Sequence, residues 1–266
     1  NTFPPTSTVE RLKDKFELAK DRMWVNYAFY AGATPENFSF LPELEKVPGC
    51  VGVKIFMGSS TGNLLIPDDE TLINVLKSRN FRVAVHAEDE PRLIDRKKLI
   101  KSNDVHFHPI WRDELSALNA TKRVIKGANA SKTPGHILHI TTEEEIEYIK
   151  QNKEYRSVEV TPQHLTLSAP ECYDELGTFA QMNPPIREGR HQKGLWKGIK
   201  DGVVDVIGSD HAPHTIEEKN KPYPDTPSGM PGVQTLLPIM LDHVNKGNLS
   251  LFKLCQLIST NPAKLY

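Results

Sequence analysis

The sequence predicts an α/β fold of parallel strands and, within that class, a closed eight-stranded (β/α)8 barrel of which strands 3 to 8 are present. Apolar runs of strand length alternate with stretches of helical periodicity through the 266 residues, which implies parallel strands joined by crossover helices. Side chains able to bind a metal fall at or near the carboxyl ends of four different strands, as a barrel mouth requires. An open doubly wound sheet focuses its chemistry at one switch point instead. The segment Gly58-Ser59-Ser60-Thr61-Gly62 lacks the dinucleotide fingerprint, so a nucleotide cofactor is discounted.

The elements follow in order. A Pro4-Pro5 turn leads into a helix, and six runs read as strands: Trp24 to Phe29, Val51 to Phe56, Arg82 to Ala87, His136 to Thr141, Ser157 to Pro162 and Asp205 to Asp210. Helical patterns are expected over Asp69 to Arg79, Arg112 to Lys126, Thr142 to Lys153 and His191 to Lys200. The acidic run Glu143-Glu144-Glu145 favours the positive end of the third of these. Asn1 in place of an initiator methionine, and an uncapped helix before Tyr266, suggest a single catalytic barrel domain over residues 1–266 that is truncated at both ends.

Charges nearly cancel, with 33 Lys and Arg against 34 Asp and Glu, and no basic block of five or more occurs. That argues against a nucleic-acid surface and for a small, weakly charged partner. Cys50, Cys172 and Cys255 are odd in number and without CxxC spacing, so no disulfide framework or thiolate metal site is expected, and a reducing cytoplasm is the natural setting. The apolar run Thr235 to Met240 is far short of the roughly 20 residues of a membrane span.

The segment Gly208-Ser209-Asp210-His211-Ala212-Pro213-His214-Thr215-Ile216-Glu217-Glu218-Lys219 ends an apolar strand with an acid and two histidines. Asp210 thereby arrives at the strand's carboxyl edge, the place of metal-assisted hydrolysis in barrels. Lys54, inside Val51-Gly52-Val53-Lys54-Ile55-Phe56, sits where desolvation disfavours its charge, and a neutral amine there can add carbon dioxide to form a carbamate that bridges two metals. On position alone the commoner reading is a lysine that snorkels or pairs with a carboxylate. His86 and His139 each end an apolar run, and singly each reads more readily as a satisfied core histidine. Together with Lys54 and Asp210 they make a ligand set.

His106-Phe107-His108 has HxH spacing but lacks an apolar strand around it, so a surface loop is expected there, and His136 is left to packing or to support of the site. Asn183, in Met182-Asn183-Pro184-Pro185, is mounted on a proline turn suited to holding one geometry. Arg187 serves equally well to clamp a carboxylate or to brace the loop, and His164 reads as a support of the site or a peripheral metal group.

These residues resemble the dihydroorotases of the amidohydrolase superfamily over nearly the whole chain. The segment Gly208 to Lys219 matches the family's signature, and Asn1-Thr2, the Lys54, His86 and His139 segments, Met182 to Pro185, and Ser228-Gly229-Met230-Pro231-Gly232 match its other blocks in order. The resemblance implies a metal-dependent hydrolase barrel holding two Zn2+ per subunit, with Lys54 carboxylated and bridging, His86 and His139 on one metal, and Asp210 on the other. It implies Asp210 as the catalytic proton carrier and Asn1, Asn183, His214, Ser228 and Gly229 as substrate contacts, with no direct role for His211. The substrate pair implied is dihydroorotate and N-carbamoyl-aspartate of pyrimidine biosynthesis, with no nucleic-acid or membrane partner and room for a homodimer. A dihydropyrimidinase or hydantoinase, an allantoinase, and an inactive scaffold subunit are the rivals. The family's HxH pair on the first barrel strand and the arginine after it are absent from these residues, which is attributed to truncation.

Overall fold

A computed structural model describes residues 2–60, 64–77, 82–154 and 156–266. Its centre is a six-stranded sheet in the order β1-β2-β3-β4-β5-β6, every neighbouring pair parallel. The strands are β1 Phe29–Gly32, β2 Cys50–Phe56, β3 Arg82–His86, β4 Gly135–Ile137, β5 Arg156–Val160 and β6 Val206–Ile207. Sequential order with a helix after each strand is the pattern of consecutive barrel units, and helices cover the outer face.

Five of the six predicted strands hold, with ends shifted by one or more residues. The first is corrected: Trp24 to Phe29 is not a strand, because Trp24 is fully exposed and Val25 is 70% exposed, so neither has a neighbour to bury it. Pairing begins only where Phe29 N donates to Gly49 O, and the strand that follows buries Ala31 against Val53. Apolar composition without burial does not make a strand. The four helices expected from periodicity form as Asp69–Lys77, Glu114–Ser131, Glu143–Gln151 and Gly189–Lys200. Thr142 caps the third through a reciprocal capping box with Glu145, and Asp113 caps the second through Ser116 N. Among the described residues no helix is long and apolar enough to cross a membrane.

The core lies between sheet and helices, where Val53, Ile55, Val83, Val85, Ile137 and Val158 meet Leu72, Leu76, Val124, Ile146 and Leu195. Such near-continuous apolar strands are what a sheet buried on both faces requires. The helix Gly189–Lys200 approaches Glu143–Gln151 so closely that a Cβ on Gly194 would stand 2.6 Å from Glu143 Cβ and 2.9 Å from its Cα. The latter is backbone and cannot swing aside. Gly194→Ala should therefore lower stability by about 1–3 kcal/mol even though alanine favours the helix by about 1 kcal/mol. Urea denaturation measures this, and a stabilised variant would refute the close packing.

Candidate functional site

At the carboxyl edge of the sheet lies a cavity of about 310 Å³, lined by Lys54, His86, His139, Asn183, Asp210, Ser228 and Gly229 together with Glu159, Tyr30, Phe56 and Leu138. The volume suits a small ring. Lys54 reaches it from β2, His86 from the last position of β3, and His139 and Asp210 from just beyond β4 and β6.

His139 and Asp210 have φ of 37° and 42°, the left-handed region that L residues enter at a cost of about 1–3 kcal/mol. The ladder shows how this is held at His139. Leu138 N bonds back to Val85 O and Ile140 N bonds forward to Glu159 O, so the chain is pinned on both sides of His139 while its side chain turns inward. At the end of β6, Gly208 leaves room for a neighbour, since a Cβ there would lie 2.4 Å from the Glu159 carboxylate carbon.

His86 and His139 are buried, and His86 Nδ1 faces His139 Nε2 at 3.0 Å. The other nitrogen of His86, Nε2, is 2.9 Å from Glu88 Oε2. A carboxylate only accepts, so Nε2 carries the hydrogen and Nδ1 is bare toward His139. Glu88 is itself fully buried and accepts from Arg112 Nε at 3.1 Å, while Arg112 Nη2 donates to Ser59 O. Burial alone would raise the Glu88 pKa, but the Arg112 charge and the His86 hydrogen bond outweigh it and hold the acid well below the usual range. Desolvation pulls both imidazoles down and keeps them neutral, the form that binds metal. Two nitrogens on one tetrahedral ion at about 2.0–2.1 Å stand about 3.3 Å apart, so the pair fits a cation in place of the hydrogen between them. Among the described residues no three His, Cys, Asp or Glu side chains gather into a ligand set on their own.

Lys54 has Nζ 4.2 Å from the centre of the Phe56 ring. Burial draws its pKa down to about 7, against the pull of Asp210 and Glu159. Burial likewise pushes Asp210 up, assisted by Glu159 and opposed by Lys54. Glu159 is a cavity residue that the sequence pattern left unremarked. The signal was an acid between Val158 and Val160 in a buried strand, the same kind of misplacement that marks Lys54.

Other expected residues take different places. Asn1 lies outside the described residues. Gly229 N is occupied by Gln181 O at 2.9 Å, whereas the Ser228 hydroxyl accepts from Gln181 Nε2 at 3.0 Å and keeps its own hydrogen for the cavity. His214 stands behind this loop, with Nε2 3.3 Å from Ser228 O. His211 is not part of the cavity lining and accepts from Gly232 N at 3.0 Å. His164 is buried behind the wall, bonded to Thr161 Oγ1 at 2.7 Å and Pro184 O at 3.0 Å. Arg187 braces: it is buried and donates to Arg112 O, Asp113 O and Thr141 Oγ1, which leaves the carboxylate clamp without support. The expected surface loop at His106 to His108 is corrected in part. His106 is bonded to Asp104 and Asp174 outside, but Phe107–Trp111 is a helix and His108 is fully buried.

Consecutive parallel β/α units with this cluster at their strand ends have the layout of a barrel enzyme's mouth. No family model matches the chain. It is similar to the dihydroorotase of Methanosarcina mazei, at 34% identity over all of this chain and 60% of that protein, and to that of Pyrococcus furiosus, at 33% over all of this chain and 56% of that protein. An L-hydantoinase of Paenarthrobacter aurescens is 30% identical, again over the whole chain. Among solved structures, the L-hydantoinase (dihydropyrimidinase) from Arthrobacter aurescens superposes with a TM-score of 0.94 at 28% identity, over 99% of this chain and 61% of that one. The chain thus spans 60% of the length of the first of these curated relatives. Over its whole length it is similar to these dihydroorotases and hydantoinases.

Glu88→Gln keeps the shape at His86 but removes the charge that fixes its tautomer. Affinity for an added divalent cation, measured by chelator competition, should fall about 10–100-fold, and an unchanged affinity would show that Glu88 does not orient His86.

Proposed function

We propose that this chain carries the catalytic barrel of a dihydroorotase, which reversibly hydrolyses the cyclic amide of dihydroorotate to N-carbamoyl-aspartate. The observation that carries this reading is the convergence of Lys54, His86, His139 and Asp210 on one small cavity in a chain whose curated relatives include dihydroorotases. A hydantoinase activity is the second reading, favoured by the fit to the L-hydantoinase structure.

His86 and His139 would hold one divalent metal, Asp210 a second, and Lys54 would bridge them as a carbamate. Bound there, the two ions, zinc in this reading, would make hydroxide available near neutral pH and polarise the ring carbonyl. With its pKa near 7, Lys54 has the neutral amine that adds carbon dioxide, releasing one proton as the carbamate forms. Asp210 takes the proton of the attacking water as general base. It then gives that proton to the ring nitrogen as the carbon–nitrogen bond breaks. Asn183 and Ser228 would orient the ring, with Gly229 shaping the loop, and Asn1 and His214 would contact the substrate's carboxylate. A decayed scaffold subunit is disfavoured, since the buried ion pair and the left-handed strand ends of a working site are intact.

Asp210→Asn should lower dihydroorotate turnover by at least about 10²-fold while leaving the circular dichroism and melting of the barrel unchanged. Near-normal turnover would remove Asp210 from its role, and parallel assays on hydantoins would separate the two readings. The Lys54 carbamate has a pH dependence of definite sign. Protonation removes the reacting amine, so in metal-free protein the carbamate signal from 13C-labelled carbon dioxide should persist at pH 8 and vanish as pH falls through about 7. A signal that grows toward acid pH would contradict this.

A further inference from the structure

His108 is the second residue of the helix Phe107–Trp111 and is fully buried. Its Nε2 lies 3.0 Å from Met182 O and 3.0 Å from Asn183 Oδ1. A backbone carbonyl can only accept, so Nε2 must carry the hydrogen. That settles the Asn183 amide, whose oxygen and nitrogen are otherwise interchangeable by shape. The atom facing His108 has to be the oxygen, because an NH2 turned toward an N–H would set donor against donor. The rings of Trp111 and Tyr223 stand edge-on at 6.0 and 5.7 Å and hold the imidazole plane. Burial first, and the nearby Arg112 charge second, draw the His108 pKa down to about 3, so the ring stays neutral and has one hydrogen to place. Its Nδ1 is buried without a hydrogen-bond partner among the described residues, which agrees with a bare nitrogen there, since a buried unpaired N–H is the rarer defect.

Asn183 lines the cavity with its oxygen held from behind, which leaves its NH2 for whatever the cavity contains. We propose that His108 is a positioning residue that commits Asn183 to donate, so the cavity selects a ligand with an oxygen acceptor at this point, a ring carbonyl or carboxylate, over one presenting N–H or methylene. The identity of that ligand rests on the cyclic-amide reading above; the polarity of the amide does not.

Two measurements test this separately. His108→Phe removes the donor, and His108→Gln keeps an NH2 able to reach the same oxygens. Each is assayed on dihydroorotate and on hydantoin, alone and with Asn183→Ala. The Phe variant should raise KM roughly tenfold with kcat changed less than about threefold. The Gln variant should recover most of the loss, and in the Asn183→Ala background His108→Phe should add nothing further. An equal KM penalty in both backgrounds would reduce His108 to packing and overturn the proposal. The second measurement needs no turnover: long-range 15N–1H correlation on the unsubstituted protein should show the His108 hydrogen on Nε2 from pH 5 to 9. A hydrogen on Nδ1 would overturn the assigned polarity. Absence of activity on both rings together with an Nε2 hydrogen would refute the cyclic-amide reading and uphold the donor.

Discussion

The Glu88–Arg112 ion pair is the interaction on which the rest of the site depends. Both side chains are buried, and removing either would strand a charge at a cost of about 3–5 kcal/mol. Glu88 sets the tautomer of His86 and so decides which nitrogen faces His139. Arg112 ties Glu88 to Ser59 O in the loop after β2, and its own carbonyl receives Arg187, which reaches across to Thr141 beyond β4. The two guanidiniums in sequence therefore link three strand ends. Asp113, the next residue, caps the helix Glu114–Ser131 and binds Arg92 at 2.8 Å, so the same turn also anchors the outer layer.

Depth of burial accounts for the electrostatics that follow. A low-dielectric cavity pushes Lys54 down and Asp210 up, so an acid and a base of ordinarily distant pKa values are both brought toward neutrality. Glu159 acts on the two in opposite senses for chemistry, favouring the charge on Lys54 and opposing the charge on Asp210. Its 3.6 Å approach to His136 Nε2 gives the acid a partner below the cavity, and His136 in turn meets Ser157 Oγ at 2.8 Å. His136 thus packs against Glu159, which lines the cavity.

Much of this was legible in the sequence because burial and charge conflict visibly along a strand. Lys54, His86 and Asp210 stand out against apolar neighbours, and the order of strands and helices reads directly from periodicity. Glu159 carried the same signal, since an acid flanked by Val158 and Val160 is as costly as Lys54 beside Val53 and Ile55, but no histidine pattern drew attention to it. Other features were not legible. His108 has a charged, loop-like sequence around it, and Met182, Asn183 and Tyr223, which pack on it, are all more than 70 residues away. Arg187 was open between clamp and brace because the carbonyls of Arg112 and Asp113 that decide it come from another unit of the sheet. Trp24 misled for the opposite reason: strand propensity is local, and burial is not.

The left-handed turns at His139 and Asp210 follow from the same geometry. A side chain at the end of a parallel strand alternates between sheet faces, and the next residue along would point away from the cavity. Turning the backbone at one residue re-aims a single side chain without shifting the register of the strand, which would flip every core residue with it. The cost is local and is offset by ladder bonds on both sides, as with Leu138 N and Ile140 N around His139. Asp210 follows Gly208, whose N is held by Val160 O and whose missing side chain admits Glu159. The strand end can thus bring two acids close to Lys54 only because Gly208, the residue directly after the strand, has no side chain to place against Glu159.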